Sequence, residues 1–133
     1  LRILTVDDSH DSVVLLAKVL GDHNVIYCTT EQEIHDELKR FKPELIIFDY
    51  LIHETNAIEI YDRLSEQMEL PTCFCVSGYS PKNLGLCLAA TPFSAWFQKP
   101  FNWRDLREAI TRLELGVFAE GTFSASQSAS SAF

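Results

Sequence analysis

Leu45-Ile46-Ile47-Phe48-Asp49 decides the fold: four consecutive apolar residues, then an acid. An uninterrupted apolar run suits a strand covered by helices on both faces, where neither face meets water. Upstream, Arg2-Ile3-Leu4-Thr5-Val6 is another such strand, and it too stops at acids, Asp7-Asp8. Ser9 follows as a helix cap. Apolar positions at Val13, Val14, Leu16, Ala17 and Leu20 then recur at helical spacing until Gly21, so a first helix covers about residues 10–20. Val25-Ile26-Tyr27-Cys28 reads as the next strand, and Thr30 caps a helix that carries Ile34, Leu38 and Phe41 and closes at Pro43.

Downstream of Asp49, a helix presents Ile58, Tyr61, Leu64 and Met68, and Thr72-Cys73-Phe74-Cys75-Val76 is a buried strand ending at Ser77-Gly78. Ser80-Pro81 begins a further helix, with Ser as cap and Pro at the first helical position. Trp96-Phe97-Gln98 is a short fifth strand ending at Lys99-Pro100, and Trp103, Leu106, Ile110 and Leu113 mark the last helix. Five strands alternating with five helices imply an α/β fold, a doubly wound five-stranded parallel sheet with right-handed crossovers. The 133 residues suffice for one domain. Its expected extent is 1–115. Residues 116–133 read as a Ser/Ala-rich tail or linker: no charge follows Glu120, and Ser124 to Phe133 holds five Ser and three Ala. The lesser alternative is a segment that docks on a partner through Phe123 or Phe133.

Lys plus Arg number 11 and Asp plus Glu 19, a formal charge of −8, which argues against direct nucleic-acid binding. No apolar run approaches a membrane span, and no secretory signal opens the chain. Cys28, Cys73, Cys75 and Cys87 are irregularly spaced, so reduced thiols and a cytoplasmic location are expected. His10, His23, His35 and His53 show no i,i+4 metal pair and read as surface residues. No G-x-G-x-x-G follows the first strand, which excludes dinucleotide binding.

The unusual residues gather at the carboxyl ends of the strands, where open parallel sheets bind ligands. Asp7 and Asp8 end the first strand, Asp49 the third, Ser77 the fourth and Lys99 the fifth. Three carboxylates brought together repel one another, and a hard divalent cation with oxygen ligands resolves this, so a Mg²⁺ site is inferred. A carboxylate beside the cation is a candidate nucleophile toward phosphorus, with Lys99 and the Ser77 hydroxyl stabilising phosphoryl oxygens.

Over about residues 1–115 the chain resembles the receiver domain of two-component response regulators, whose fold is flavodoxin-like. The carrying motifs are Val6-Asp7-Asp8-Ser9, Ile46-Ile47-Phe48-Asp49, Val76-Ser77-Gly78 and Phe97-Gln98-Lys99-Pro100-Phe101. The resemblance implies Asp49 as phosphoacceptor, and Mg²⁺ held by Asp7, Asp8, Asp49 and the Leu51 carbonyl. It also implies Ser77 and Lys99 on the phosphoryl oxygens and a cis peptide at Lys99-Pro100. The donor would be a sensor histidine kinase or histidine phosphotransfer protein. Ser77 and Trp96 would form the conformational switch, serving a homodimer or an attached output domain. The domain would be no enzyme beyond weak self-dephosphorylation, slow here because Leu51 and Tyr79 offer little to hold a hydrolytic water.

Two stretches depart from the family pattern. Receivers usually carry Pro four and Gly eight residues after the acceptor, positions that are here His53 and Ala57. Thr91-Pro92-Phe93 replaces a common Ala-Gly-Ala turn. Two other functions compete: a receiver-like interaction or dimerisation module independent of phosphorylation, and a phosphatase of the haloacid-dehalogenase type. The latter needs D-x-D at the first strand, where this chain has adjacent Asp7-Asp8.

Overall fold

The structure is a computed structural model that describes residues 1–117 and 123–125. The chain divides into two compact units, Leu1–Cys73 and Phe74–Phe133.

In the first unit, β1 (Arg2–Val6) is flanked by β2 (Asn24–Cys28) and β3 (Leu45–Asp49), both parallel to it. Register runs Ile3↔Leu45 to Val6↔Phe48, so the two apolar runs lie side by side and end together at their acids. Ile3, Leu4, Val6, Leu45, Ile46, Ile47 and Phe48 are all buried, as strands without a solvent face require. Helix α1 (His10–Val19) buries Leu16, and Leu20 beyond its end is also buried, while Val14 and Leu15 face outward. Ser9 stands at the cap position, but its side chain makes no cap hydrogen bond. Its backbone N–H instead donates to Asp7 Oδ1 at 2.8 Å, so the acid before it closes the turn.

Helix α2 (Glu31–Arg40) has the cap the sequence indicates. Thr30 Oγ1 accepts from the Glu33 N–H at 3.2 Å, and Glu33 Oε1 reaches back to the Thr29 N–H, also at 3.2 Å. These donors hold the Glu33 carboxyl below the usual carboxylate range, the Thr29 N–H contributing most. Helix α3 (Ala57–Ser65) buries Ala57, Ile60 and Leu64. The expected face of Ile58, Tyr61 and Met68 is thus rotated: only Leu64 of that set is fully inside, and the others are half-buried.

In the second unit, β6 (Thr72–Ser77), whose first two residues close the first unit, pairs in parallel with β7 (Ala95–Gln98), with Cys75↔Trp96 and Ser77↔Gln98 in register. Phe97 packs against Phe74 and Phe101 at centroid distances of 5.9 and 5.5 Å, and α4 (Trp103–Glu114) covers that core with Leu106, Ala109 and Ile110. The helix expected after Ser80-Pro81 does not form. Two 3₁₀ turns, Lys82–Leu84 and Leu88–Ala90, replace it, because Gly85 leaves the helical region at φ 71° and ends the first turn after three residues.

The five strands read from the sequence are all present and parallel-paired. Two further strands pair as an antiparallel hairpin directly after Asp49, β4 (Leu51–Ile52) and β5 (Thr55–Asn56). The expected tail contributes β8 (Phe123–Ala125), which pairs in parallel with β7. Phe133 lies outside the described residues. All four cysteines are free thiols, with Cys28, Cys73 and Cys75 buried. Burial, reinforced by the Glu33 and Glu37 carboxylates, pushes the Cys28 thiol up to about 12. Cys73 is raised by burial alone. Both therefore stay protonated, which agrees with structural cysteine. Among the described residues no helix is long and apolar enough to cross a membrane.

Candidate functional site

Parallel registry of β1 with β3 brings their C-terminal acids together. One carboxylate oxygen from each of Asp7, Asp8 and Asp49 lies within 4.8 Å of the others. Burial grades across the group, from buried Asp7 through half-buried Asp49 to exposed Asp8. Oxygen-only donors of this charge and spacing suit a small hard cation such as Mg²⁺ and disfavour a soft metal.

The loop after Asp49 folds into the β4–β5 hairpin. His53 sits at the tip of the β4–β5 hairpin at φ 54°, left-handed backbone that glycine adopts most readily. Two hydrogen bonds hold it there. Its backbone N–H donates to Asp8 Oδ2 at 2.8 Å, and its Nε2 donates to the Thr29 carbonyl at 2.7 Å. Sequence reading placed His53 as a plain surface residue. It is exposed, yet it ties the third strand's loop to Asp8 and to the end of β2. Nothing in its spacing signals this, since both partners are distant in sequence.

Hairpin geometry also fixes where the Leu51 carbonyl goes. Ala57 N–H donates to the Tyr50 carbonyl at 2.8 Å, so Tyr50 and Ala57 occupy a hydrogen-bonded position of the antiparallel ladder. Leu51 and Asn56, the next pair, then occupy a non-hydrogen-bonded position. The hairpin does not consume the Leu51 carbonyl, despite the substitutions at positions 53 and 57.

In the second unit, Ser77 and Lys99 end neighbouring strands, and the Lys99 N–H donates to the Ser77 carbonyl at 2.6 Å. Ser77 is buried, and its Oγ accepts the Tyr79 N–H at 3.0 Å. A Cβ added at the intervening Gly78 would meet nothing within 4 Å, so this turn is open to an approaching molecule. The Lys99-Pro100 peptide is cis, as the resemblance implies. Trp96 is completely buried, packed edge-on against Phe93 at 5.9 Å, and its indole N–H donates to the Tyr79 carbonyl at 2.9 Å. Phe93, from the unusual Thr91-Pro92-Phe93 turn, is thus a wall of the Trp96 pocket. Of the other histidines, His10 packs edge-on against Tyr27 at 5.7 Å, mostly buried His23 accepts from Leu1 N through Nδ1 at 3.2 Å, and His35 buries its Nδ1 without a hydrogen-bond partner among the described residues, 3.7 Å from Asp36 Oδ1.

No family model matches the sequence, and no curated protein matches it. Solved structures do. A CheY-like receiver domain from Methanospirillum hungatei is 25% identical, with a TM-score of 0.72 over 87% of this chain and 94% of that one. The chain has the fold of response-regulator receiver domains. The N-terminal receiver domain of Klebsiella pneumoniae RstA, a structure described as BeF₃-activated, is 21% identical with a TM-score of 0.70, covering 90% of this chain and all of that one. Thermotoga maritima TrrA, a response regulator solved in complex with Mg²⁺-BeF, is 20% identical with a TM-score of 0.70, covering 84% and 97%. The α/β flavodoxin-like receiver fold is therefore shown, and signalling domains of this kind are what the chain resembles along most of its length.

Proposed function

We propose that this receiver domain is a phosphoryl-accepting switch of a two-component system, working in the cytoplasm, with Asp49 as acceptor. The observation that carries this reading is the convergence of the Asp7, Asp8 and Asp49 carboxylates to within 4.8 Å of one another. Asp7, Asp8, Asp49 and the Leu51 carbonyl would hold Mg²⁺. When bound, the cation supplies charge neutralisation for a phosphoryl group beside three carboxylates.

The chain's own residues do the rest. Asp7 is fixed by the Ser9 N–H, and Asp8 by the His53 N–H, so both are oriented before any ligand arrives. Asp49 attacks the phosphorus of a phosphohistidine on a sensor kinase or phosphotransfer protein. An aspartyl oxygen–phosphorus bond forms, the histidine nitrogen–phosphorus bond breaks, and the released imidazole takes up a proton. Lys99 and the Ser77 hydroxyl bind the transferred phosphoryl oxygens, and Ser77 and Trp96 convert that binding into a changed surface for an output domain or a second copy. The chain acts once per phosphoryl group rather than as a multiple-turnover enzyme.

Intact mass after incubation with Mg²⁺ and acetyl phosphate tests this. A single phosphoryl gain, absent in Asp49→Asn and absent with EDTA, is expected. No gain in the wild type, together with no Mg²⁺ binding by titration, would leave the phosphorylation-independent interaction module as the function.

A further inference from the structure

Strand β7 is occupied on both edges. One edge carries β6, and the other carries Phe123–Ala125, in the register Ala95↔Phe123, Trp96↔Ser124 and Phe97↔Ala125. The chain reaches this edge after α4, as the helical crossover between two parallel strands. Three residues make a short ladder, and Phe-Ser-Ala contains a single strong strand former. The hydrogen bonds of so short a strand barely offset the entropy of ordering it. Without it, Ala95–Phe97 would present the unpaired backbone of a sheet edge.

The central partner of this strand is Trp96, and Trp96 leads back to Ser77. Ser77 Oγ accepts from the Tyr79 N–H, the Tyr79 carbonyl accepts from the Trp96 indole, and the Trp96 backbone pairs with Ser124. We propose that the outer edge of β7 is a strand-docking surface held in cis by Phe123–Ala125, and that engaging the Ser77 hydroxyl releases that strand through Tyr79 and Trp96. The coupling rests on the reading of Ser77 as a phosphoryl-binding group; the docking does not. A Ser77 hydroxyl that swings toward a phosphoryl oxygen gives up the Tyr79 N–H. Tyr79 then moves, its carbonyl pulls on the buried indole, and the shift reaches the β7 backbone where the short ladder is anchored.

Amide exchange by NMR on the full chain tests both parts, following Ala95, Trp96, Phe97, Phe123 and Ser124. Ala125→Pro, which loses the N–H that this parallel register directs to the Trp96 carbonyl, gives the undocked reference. In the wild type, the slowed members of these amides should exchange at least about tenfold more slowly than in that reference, since they open only with the strand. Beryllofluoride with Mg²⁺ should erase that difference. So should Ser77→Ala, which removes the acceptor of the Tyr79 N–H and needs no phosphoryl mimic. Equal exchange in wild type and Ala125→Pro would overturn the docking. Equal protection in wild type and Ser77→Ala would overturn the coupling. Failure of beryllofluoride to bind, read from its ¹⁹F signal, would count against the phosphoacceptor reading alone, because the Ser77→Ala comparison still decides the coupling.

Discussion

Proline at position 53, the residue most receivers place there, should damage this one. His53 sits at φ 54°, and a proline ring holds φ near −65°, so His53→Pro cannot keep the hairpin tip. The backbone donor to Asp8 Oδ2 disappears with the N–H, and the imidazole bond to the Thr29 carbonyl disappears with the ring. Each hydrogen bond contributes about 1 kcal/mol at this exposure, and the lost β4–β5 turn about 1 more, giving a destabilisation of about 3 kcal/mol. For a chain of this length that corresponds to a fall in Tm of roughly 9–15 °C. His53→Gly is the control. It keeps the donor to Asp8, adopts the left-handed backbone without strain, and loses only the imidazole bond, so its stability should stay within about 1 kcal/mol of wild type. Thermal and urea unfolding of the three proteins measure the stabilities, and calorimetric titration with Mg²⁺ reads the site. His53→Pro should also weaken Mg²⁺ binding by about tenfold or more, because Asp8 loses the group that orients it. If the proline variant matches the glycine variant in both stability and Mg²⁺ affinity, the left-handed hairpin tip and its grip on Asp8 are wrong.

Other outcomes follow from particular contacts. Phe97→Ala removes the ring between Phe74 and Phe101 and should cost about 3–5 kcal/mol in urea unfolding. Because its hydrogen bonds depress Glu33 in the folded state, its contribution is present above the ordinary carboxylate pKa and is lost as pH falls through the lower folded value. Glu33→Gln should therefore flatten the acid limb of the stability–pH curve, and an unchanged limb would contradict that assignment. Leu51→Asn places an amide where the exposed leucine offers none. It should speed loss of the phosphoryl group by roughly tenfold or more, followed by mass over time, whereas an unchanged lifetime would remove Leu51 from the control of hydrolysis.

Four of the five strands read from the sequence were legible as apolar runs that stop at a charged or hydroxyl-bearing residue: Asp7, Asp49, Ser77, Lys99. The same cut-offs mark the candidate site, so strand ends and site residues are one signal. Helices were legible as elements but less so as faces. In α3 the apolar residues Ile58 and Tyr61 outnumber what the core accepts, and small Ala57 with Ile60 takes the buried side instead. The stretch after Ser80-Pro81 carries helix-starting residues, yet Gly85 at φ 71° stops the turn. Hairpin β4–β5 has no Asn-Gly or Asp-Gly to announce it, and it depends on Asp8 and Thr29 to hold a histidine in glycine's conformation. Strand β8 was illegible for a similar reason. Its Ser/Ala composition favours no structure, and its pairing is supplied by the edge of β7 rather than by local preference.

The most direct test of the account is the position of the phosphoryl group itself. After incubation with acetyl phosphate and Mg²⁺, borohydride reduction converts an aspartyl phosphate to homoserine, which peptide mass spectrometry can place in the chain. The account predicts homoserine at position 49 and nowhere else. Homoserine at Asp7 or Asp8, or a stable phosphoryl gain with no reduced aspartate, would contradict it.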